Sequence, residues 1–580
     1  GGAYDCTLNF CMVSNNATSG LIGGVDSGLG GGVYYDSGQT NDLGQGNIVV
    51  GNVAAATNDW EPRGGIGGGV FILLISASLN GWTFISNSAP YDGGGLYLTT
   101  PRTILNNCIF LGNSSGGNGG GVCSSWPFTA VASNCTFIWN MAAGNGGGAC
   151  YAALTNCSVI GNKATNGGGV YGIANNCVLS DNVATNDGGG LYYYYGSTPY
   201  PAIVGCAFTN NSALNGGGAY TSSSCGFSNC FFCANSAANN GGGIELGAYC
   251  LIAHCGIYSN NAGLNGGGVS GSEVSYCIIL GNTAGEAGGG TYDCQMANCL
   301  LSGNSATYGG GSLDDSFFLI RNCTIANNRA TNVGGGFYST GVWAFGITNC
   351  IIYDNSENNP FPWAKDYSNY YPTNFIGMFH CCTVPLPAPS IWGGNNNNIT
   401  NDPAFVNAAF GDFHLQSNSP CINAGRNPDI ARITDLDGNP RIVGGTVDIG
   451  AYECQSPALL AYYDWLQSYG LPTDASKVYS DSDGDGMNNY QEWIAGTSPT
   501  NALSVLAMLP PAPTNNSAGL VVSWQSVNTR TYYLQRGTNL AAQPAFSTVQ
   551  SNIVGQTSTT TYTDTNAIGN GPFFYRAGVQ

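Results

Sequence analysis

From Cys108 to Asn355 short apolar runs recur at a fixed phase between polar bends. Thr-Phe-Ile-Trp follows Cys135, Ser-Val-Ile-Gly follows Cys157 and Ile-Ile-Leu-Gly follows Cys277, and each run ends on an Asn five residues after its Cys. The runs have strand composition. After the Asn comes a small residue, often Ala, then a polar bend, three consecutive glycines and a second short strand such as Val170-Tyr171 or Phe337-Tyr338. The Gly triplet occurs thirteen times between Gly30 and Gly336, with 21 to 28 residues between starts in the regular stretch. The Cys-to-Asn offset stays constant from Cys108/Asn113 to Cys350/Asn355, holds for Cys11/Asn16, and holds for Trp82/Asn87 with Trp in the Cys place. Length variation therefore sits in the connections.

A period of about two dozen residues sustained this long predicts a solenoid. Strands this brief form no stable sheet within one unit. Stacked as coils of a right-handed parallel β-helix, each strand pairs with its copies above and below at about 4.8 Å. The chain is therefore read as all-β, with about 13 coils spanning residues 1–355. Stacking puts like side chains in columns. Cys fills an inward column as a small buried residue. Asn takes the bend, where it can adopt a left-handed conformation and bond its own copies along the axis. The glycines permit a turn closed to residues with Cβ.

After Asn355 the pattern stops. Residues 359–371 are rich in Pro and aromatics, and 356–455 is placed to cap the open core, as solenoids require. Residues 456–505 form a different module. A helical pattern covers Leu459 to Tyr469, and a second possible helix covers Asn488 to Ala495. Between them Asp481-Ser-Asp483-Gly-Asp485-Gly486 runs on to Glu492 at the twelfth position, the spacing of an EF-hand loop. The predicted ligands for Ca²⁺ are Asp481, Asp483, Asp485, the carbonyl of Met487, Asn489 directly or through water, and a bidentate Glu492. From 506 to 580 apolar and polar residues alternate in short strands (Leu520 to Trp524, Tyr532 to Arg536, Phe573 to Arg576), which reads as a small β-sandwich.

Composition narrows the function classes. Acidic residues number 32 against 13 basic ones, for a net charge of −19. Three Lys and ten Arg cannot neutralise many phosphates, so no nucleic-acid partner is expected. The longest apolar run, Val70 to Ile75, is too short to span a bilayer. The start at Gly1-Gly2-Ala3-Tyr4 reads as the tail of a Gly-triplet unit, so a processed or truncated N-terminus is expected.

The stretch Asp402-Pro403-Ala404-Phe405, Asp412-Phe413-His414-Leu415, Ser419-Pro420-Cys421-Ile422-Asn423 and Val447-Asp448-Ile449-Gly450-Ala451-Tyr452-Glu453 resembles the choice-of-anchor Q domain of secreted bacterial β-helix proteins. The repeats, with Phe84-Ile85-Ser86-Asn87 as one match, are similar to those of polymorphic outer-membrane proteins and surface adhesins. The segment from Asp481 through Pro499 resembles the thrombospondin type 3-like or dockerin-like calcium repeats of secreted bacterial proteins. A single loop does not support cohesin docking. The tail is loosely similar to fibronectin III-like modules. These resemblances imply export and a surface role, and carry no catalytic residue.

The 23 cysteines leave three readings of the column: buried thiols, disulfides between coils, or a metal site. Buried thiols come first, because parallel in-register cysteines have poor Cβ geometry for bonding, and His254, His380 and His414 are scattered. Off the column, Cys123 with Cys150 and Cys421 with Cys454 are candidate pairs, and Cys381-Cys382 are vicinal. For catalysis, Asp314-Asp315 is the adjacent acidic pair in the coils, with Glu245, Glu273, Glu286 and Asp293 at other phases and Lys163 as the lone coil Lys. The Tyr run 192–195 and the Tyr after many triplets are candidates for sugar stacking or for a packed ladder. Sequons at Asn16, Asn113, Asn134, Asn156 and Asn322 fall largely in the buried column and are poor glycan sites.

The expected function is that of an extracellular or cell-surface structural or adhesive protein, not an enzyme. It is read as a filament subunit that self-associates through uncapped edge strands of its first coil, or as a binder of a surface polysaccharide. The alternative is a secreted polysaccharide lyase, glycoside hydrolase or passive carbohydrate-binding β-helix.

Overall fold

The computed structural model describes residues 2–18, 28–35, 42–55, 65–73, 76–99, 103–125, 130–194, 201–314, 319–339, 346–358, 368–372, 377–386, 396–430, 432–443, 446–455, 462, 465–471, 480–513, 519–540, 542, 544–568 and 571–580. The chain divides into two compact units, Gly1–Cys454 and Gln455–Gln580.

The first unit is a parallel β-solenoid. The Cys-to-Asn strands form one sheet of 15 parallel strands, from Met12–Ser14 to Cys382–Thr383. A second sheet of 14 strands collects the short segments after each Asn, most of them two residues long, such as Ser236–Ala237 and Asn261–Ala262. The strands after the glycines and those leading back to Cys belong to a third, 25-stranded sheet. The first sheet exceeds the thirteen triplets because Met12–Ser14 precedes the first and Cys382–Thr383 follows the last.

Alternation within each strand aims one residue inward. Phe232 pairs with Ile257 and Ile257 with Ile279, all three fully buried. Phe84, Phe110 and Phe137 stack at 4.6 and 4.8 Å between centroids, with planes nearly parallel. Such offset pairs add to the gain from burial.

The Asn column is a continuous hydrogen-bonded ladder. Asn260 Oδ1 accepts from the backbone N–H and the side-chain amide of Asn235, both at 2.9 Å. Its own amide donates to Phe232 O at 3.0 Å and to Asn282 Oδ1 at 2.9 Å. Every polar atom of the side chain is thus used inside the core, as burial demands. The ladder runs unbroken from Asn16 to Asn369.

One expectation needs correction. The left-handed residue at this corner is the one before the ladder Asn: Ser259 has φ 52°, and Asn260 is not among the positive-φ residues. The same holds at the other corner, where Asn134, Asn156 and Asn322 precede Cys with φ near 53°. The ladder Asn therefore acts through its amide, and the strained corner falls to its neighbour.

The glycines answer two demands. Gly241 has φ 65°, open to Gly without penalty. A Cβ on Gly243 would lie 2.6 Å from the carbonyl oxygen of Gly268 and 3.1 Å from the Asn260 amide. The third glycine is small because ladder and next coil close on it.

Cap residues lie along the flank of the last coils. Outward side chains of the early strands are exposed, as Ile109 and Met141 show. Outward Leu300, Ala326 and Ile351 are buried. Leu300 and Ala326 sit beneath Phe413, Ala451 and Tyr452, and Ile351 beneath Leu415 and Ile449. Ala451 N donates to Thr324 Oγ1 at 3.0 Å, and Asn349 bonds both the N–H and the carbonyl of Arg426. At the end of the solenoid, Cys381 N donates to Asn398 Oδ1, and Asn369 donates to Val384 O. Residues 359–367 of the Pro-rich stretch lie outside the described residues.

The acids of the cap motif hold its backbone. Asp448 accepts from Asn423 N and Cys454 N, and Glu453 accepts from Val443 N and Asp448 N. Buried Arg441 donates to the carbonyls of Ala451, Asp448 and Gly450.

In the second unit, residues 465–468 and Asn489–Ala495 are helical; much of the expected first helix lies outside the described residues. Two three-stranded antiparallel sheets follow. Met508–Pro513, Leu520–Ser526 and Ser558–Asp564 make one; Thr531–Gly537, Ser547–Val554 and Phe574–Val579 make the other. They share a core of Val522, Trp524, Tyr532 and Leu534. Asp564 of the first sheet accepts from Arg536 at 2.7 Å and Tyr575 at 2.9 Å of the second.

Candidate functional site

The loop from Asp481 to Glu492 is built by its own backbone. Asp481 accepts from Gly484 N at 2.7 Å and Gly486 N at 2.9 Å, which folds the chain around its carboxylate and holds its pKa down. Gly484 and Gly486 turn with φ 81° and 96°. Asp485 Oδ1 accepts from Met487 N at 2.7 Å. The loop then enters the helix through a capping box between Asn488 and Gln491, and Gly496 ends that helix in the left-handed region. This start places Glu492 in the first helical turn.

Asp481, Asp483 and Asp485 each offer an oxygen within 4.8 Å of the others'. Glu492 is fully buried, and neither carboxylate oxygen meets a hydrogen-bond donor. The outer oxygens of Asp483 and Asp485 are likewise buried without a donor. Burial, and then the charges of Asp483, Asp485 and Asp481, push Glu492 up to about 7. Buried carboxylate oxygens without donors are costly. Asp481, Asp483 and Asp485 stand close enough to share a hard divalent cation that takes oxygen ligands, and Glu492 lies outside that close group. Asn489 is buried and braces the loop's start, with its N–H on Ser480 O at 2.9 Å and its amide on Ser480 Oγ at 3.4 Å. Met487 is placed between the acids and the helix.

The Cys column is a ladder of buried thiols in which sulfur replaces the Asn oxygen. Cys135 Sγ accepts from Cys108 N at 3.3 Å, and Cys350 Sγ accepts from Cys323 N at 3.4 Å. Burial pushes the Cys277 thiol well up. Of the proposed pairs, Cys123 and Cys150 stand in register on neighbouring strands as buried free thiols. Cys421 packs with Cys382 rather than with Cys454. The vicinal cysteines part: Cys381 joins the core and Cys382 the cap cluster. His254 stacks on Tyr276, His380 bonds Ala424 O, and His414 sits between Asp412 at 2.6 Å and Asp437 at 2.7 Å. Burial opposes a charged His414, yet those two hydrogen bonds lift it to about 10.

The coil acids serve separate ends. Asp314 is buried and accepts from Cys294 N at 2.9 Å; Asp315 lies outside the described residues. Glu273 pairs with Arg432 at 2.9 Å. Glu245 stands in the outward column after the glycines, in register with Tyr220. That column carries stacked rings, Tyr4–Tyr34–Phe71–Tyr97 and Tyr171–Tyr192–Tyr220, at 5.0 to 5.6 Å. The rings use their faces on one another, which favours a packed ladder over sugar stacking. Tyr195 lies outside the described residues.

Burial and then the charge of Asp187 push Glu245 up to about 7. The protonated form is favoured by folding, so stability is highest below the unfolded value near 4.5 and falls as pH rises through 7. Glu245→Gln is expected to gain about 2 kcal/mol at pH 8, less than the full shift because the carboxylate keeps some water. It should gain little at pH 4. Urea unfolding at both pH values checks this; equal effects at the two would count against it.

No helix among the described residues is long and apolar enough to cross a membrane. Compared with family models and with curated proteins, the chain matches none.

Proposed function

We propose that this chain is an extracellular structural or adhesive protein, with a calcium ion bound at Asp481, Asp483, Asp485, Met487 O, Asn489 and Glu492. The observation that carries the structural reading is periodicity. The inward thiol and amide columns fix each rung in register with the next, and the outward ring positions return rung after rung, so the coils offer a repeated surface to a partner. Asp314 accepts from a backbone N–H, Glu273 pairs with Arg432 and Glu245 stands in the ring column, which fits a scaffold better than a hydrolase needing two carboxylates flanking one bond. The resemblance of Asp402 to Glu453 to the choice-of-anchor Q domain supports an exported location.

Electron microscopy and sedimentation across protein concentrations test the structural role, with ordered lateral or end-to-end assemblies expected. Dispersed monomers at every concentration, together with turnover of an acidic or neutral polysaccharide, would replace this reading with the enzymatic one.

A further inference from the structure

A second binding site arises where the cap meets the coils. Arg321, Leu319, Met296, Gln295 and Glu273 from three successive rungs, with Arg432 from the cap, line an open pocket of about 220 Å³. The register explains the meeting. Glu273 pairs with Gln295, and Ala297 with Arg321, on adjacent strands of the 25-stranded sheet. Thr434 of the cap is anchored alongside by Asn298 at 2.7 Å and Tyr276 at 2.8 Å, which brings Arg432 over this face.

Arg321 is the anomaly. In a chain with 13 basic residues against 32 acidic ones, a cation without a partner is unexpected. Arg426 pairs with Asp429, Arg432 with Glu273 and Arg536 with Asp564. Arg441 and Arg530 donate to carbonyls, and Arg576 donates to Gln535. Arg329 is exposed to water. Arg321 is only partly exposed, and its Nε is buried without an acceptor among the described residues. The two terminal nitrogens of a guanidinium are also a two-pronged donor whose spacing matches the two oxygens of a carboxylate.

We propose that this pocket binds the carboxylate of a sugar acid. Glu273 offsets the charge of Arg432, which leaves one net positive charge and suits a monoanion. Gln295, which is exposed, and Glu273 can exchange hydrogen bonds with ring hydroxyls. Leu319 supplies an apolar wall for the ring's carbon face. The inference goes beyond the structural role and does not depend on it.

Calorimetric titration of the full chain with glucuronate, with acetate and with glucose tests it. Glucuronate should bind, acetate more weakly, and glucose not detectably. Arg321→Gln should weaken glucuronate by about tenfold or more, the loss of one charge-assisted fork. Arg426→Gln, outside the pocket, should leave binding unchanged. Because a coil substitution can disturb folding, circular dichroism accompanies each variant. Gln295→Ala, at an exposed position, should weaken glucuronate while leaving acetate unaffected. Equal binding of glucose and glucuronate, acetate as tight as glucuronate, or unchanged affinity in Arg321→Gln would each overturn the proposal.

Discussion

Asn260→Ala is expected to destabilise the solenoid by about 4 kcal/mol, beyond the usual range for a single substitution. Truncation to a methyl group leaves a void, but the larger cost lies in the side chain's partners. Removal strips the acceptor from Asn235 N and from the Asn235 amide, and the donor from Phe232 O. All three sit in a dry core, where each unmade hydrogen bond costs about 1–3 kcal/mol. Asn282 keeps a partner, since the backbone N–H of residue 260 still donates to its Oδ1 at 2.9 Å. Repeat stacking confines the damage to neighbouring rungs, so hydrogen exchange should open first around residues 232–260. Asn260→Asp should be at least as costly, because it turns a buried carboxylate oxygen, itself an acceptor, towards two acceptors, Phe232 O and Asn282 Oδ1. A loss below about 1 kcal/mol by urea unfolding would show that water or a shifted backbone replaces the amide.

Calcium at a hundredfold excess over its dissociation constant is expected to stabilise the 455–580 unit by about 3 kcal/mol. The calcium-dependent part of the tryptophan fluorescence, to which Trp465 and Trp493 packed near Tyr462 contribute, follows that unit within the intact chain. Glu492→Gln should reverse the order of stabilities. Without calcium the variant should be the more stable, because a neutral amide replaces a buried carboxylate that faces three others. With calcium the native chain should be the more stable, and the variant should not respond. Magnesium should act weakly, as the smaller ion demands a stricter octahedral shell. A melting curve indifferent to calcium would remove the ion from the proposed function.

The two ladders differ in how openly the chain displays them. Cys108 through Cys350 repeat one letter, so the column is visible by alignment. The rung at Asn47 and Asn52 was hidden because Asn stands in the Cys place. The structure supplies the reason: Asn47 Oδ1 accepts from Cys11 N at 2.9 Å, the bond that sulfur makes elsewhere. At these rungs the column supplies an acceptor for a backbone N–H, and both Asn and Cys qualify; at Trp82 the indole N–H donates instead, to Gly44 O. Asn369 was missed because the Pro-rich insertion breaks the spacing before it. The acids of the calcium loop were legible because their ligand spacing is local.

Order along one dimension was written in the residues themselves. Period, strand phase, the glycine corners and the loop from Asp481 to Glu492 depend on neighbours a few residues apart or on copies one rung away, and such rules repeat in the letters. Tertiary structure alone decided that the cap folds back along Leu300, Ala326 and Ile351, and that Arg432 meets Arg321. Those contacts join residues about a hundred positions apart, and an outward Leu beneath a cap is spelled like an outward Ile in water. What separates them is which surface arrives to exclude the solvent, and that is settled only when the chain has folded.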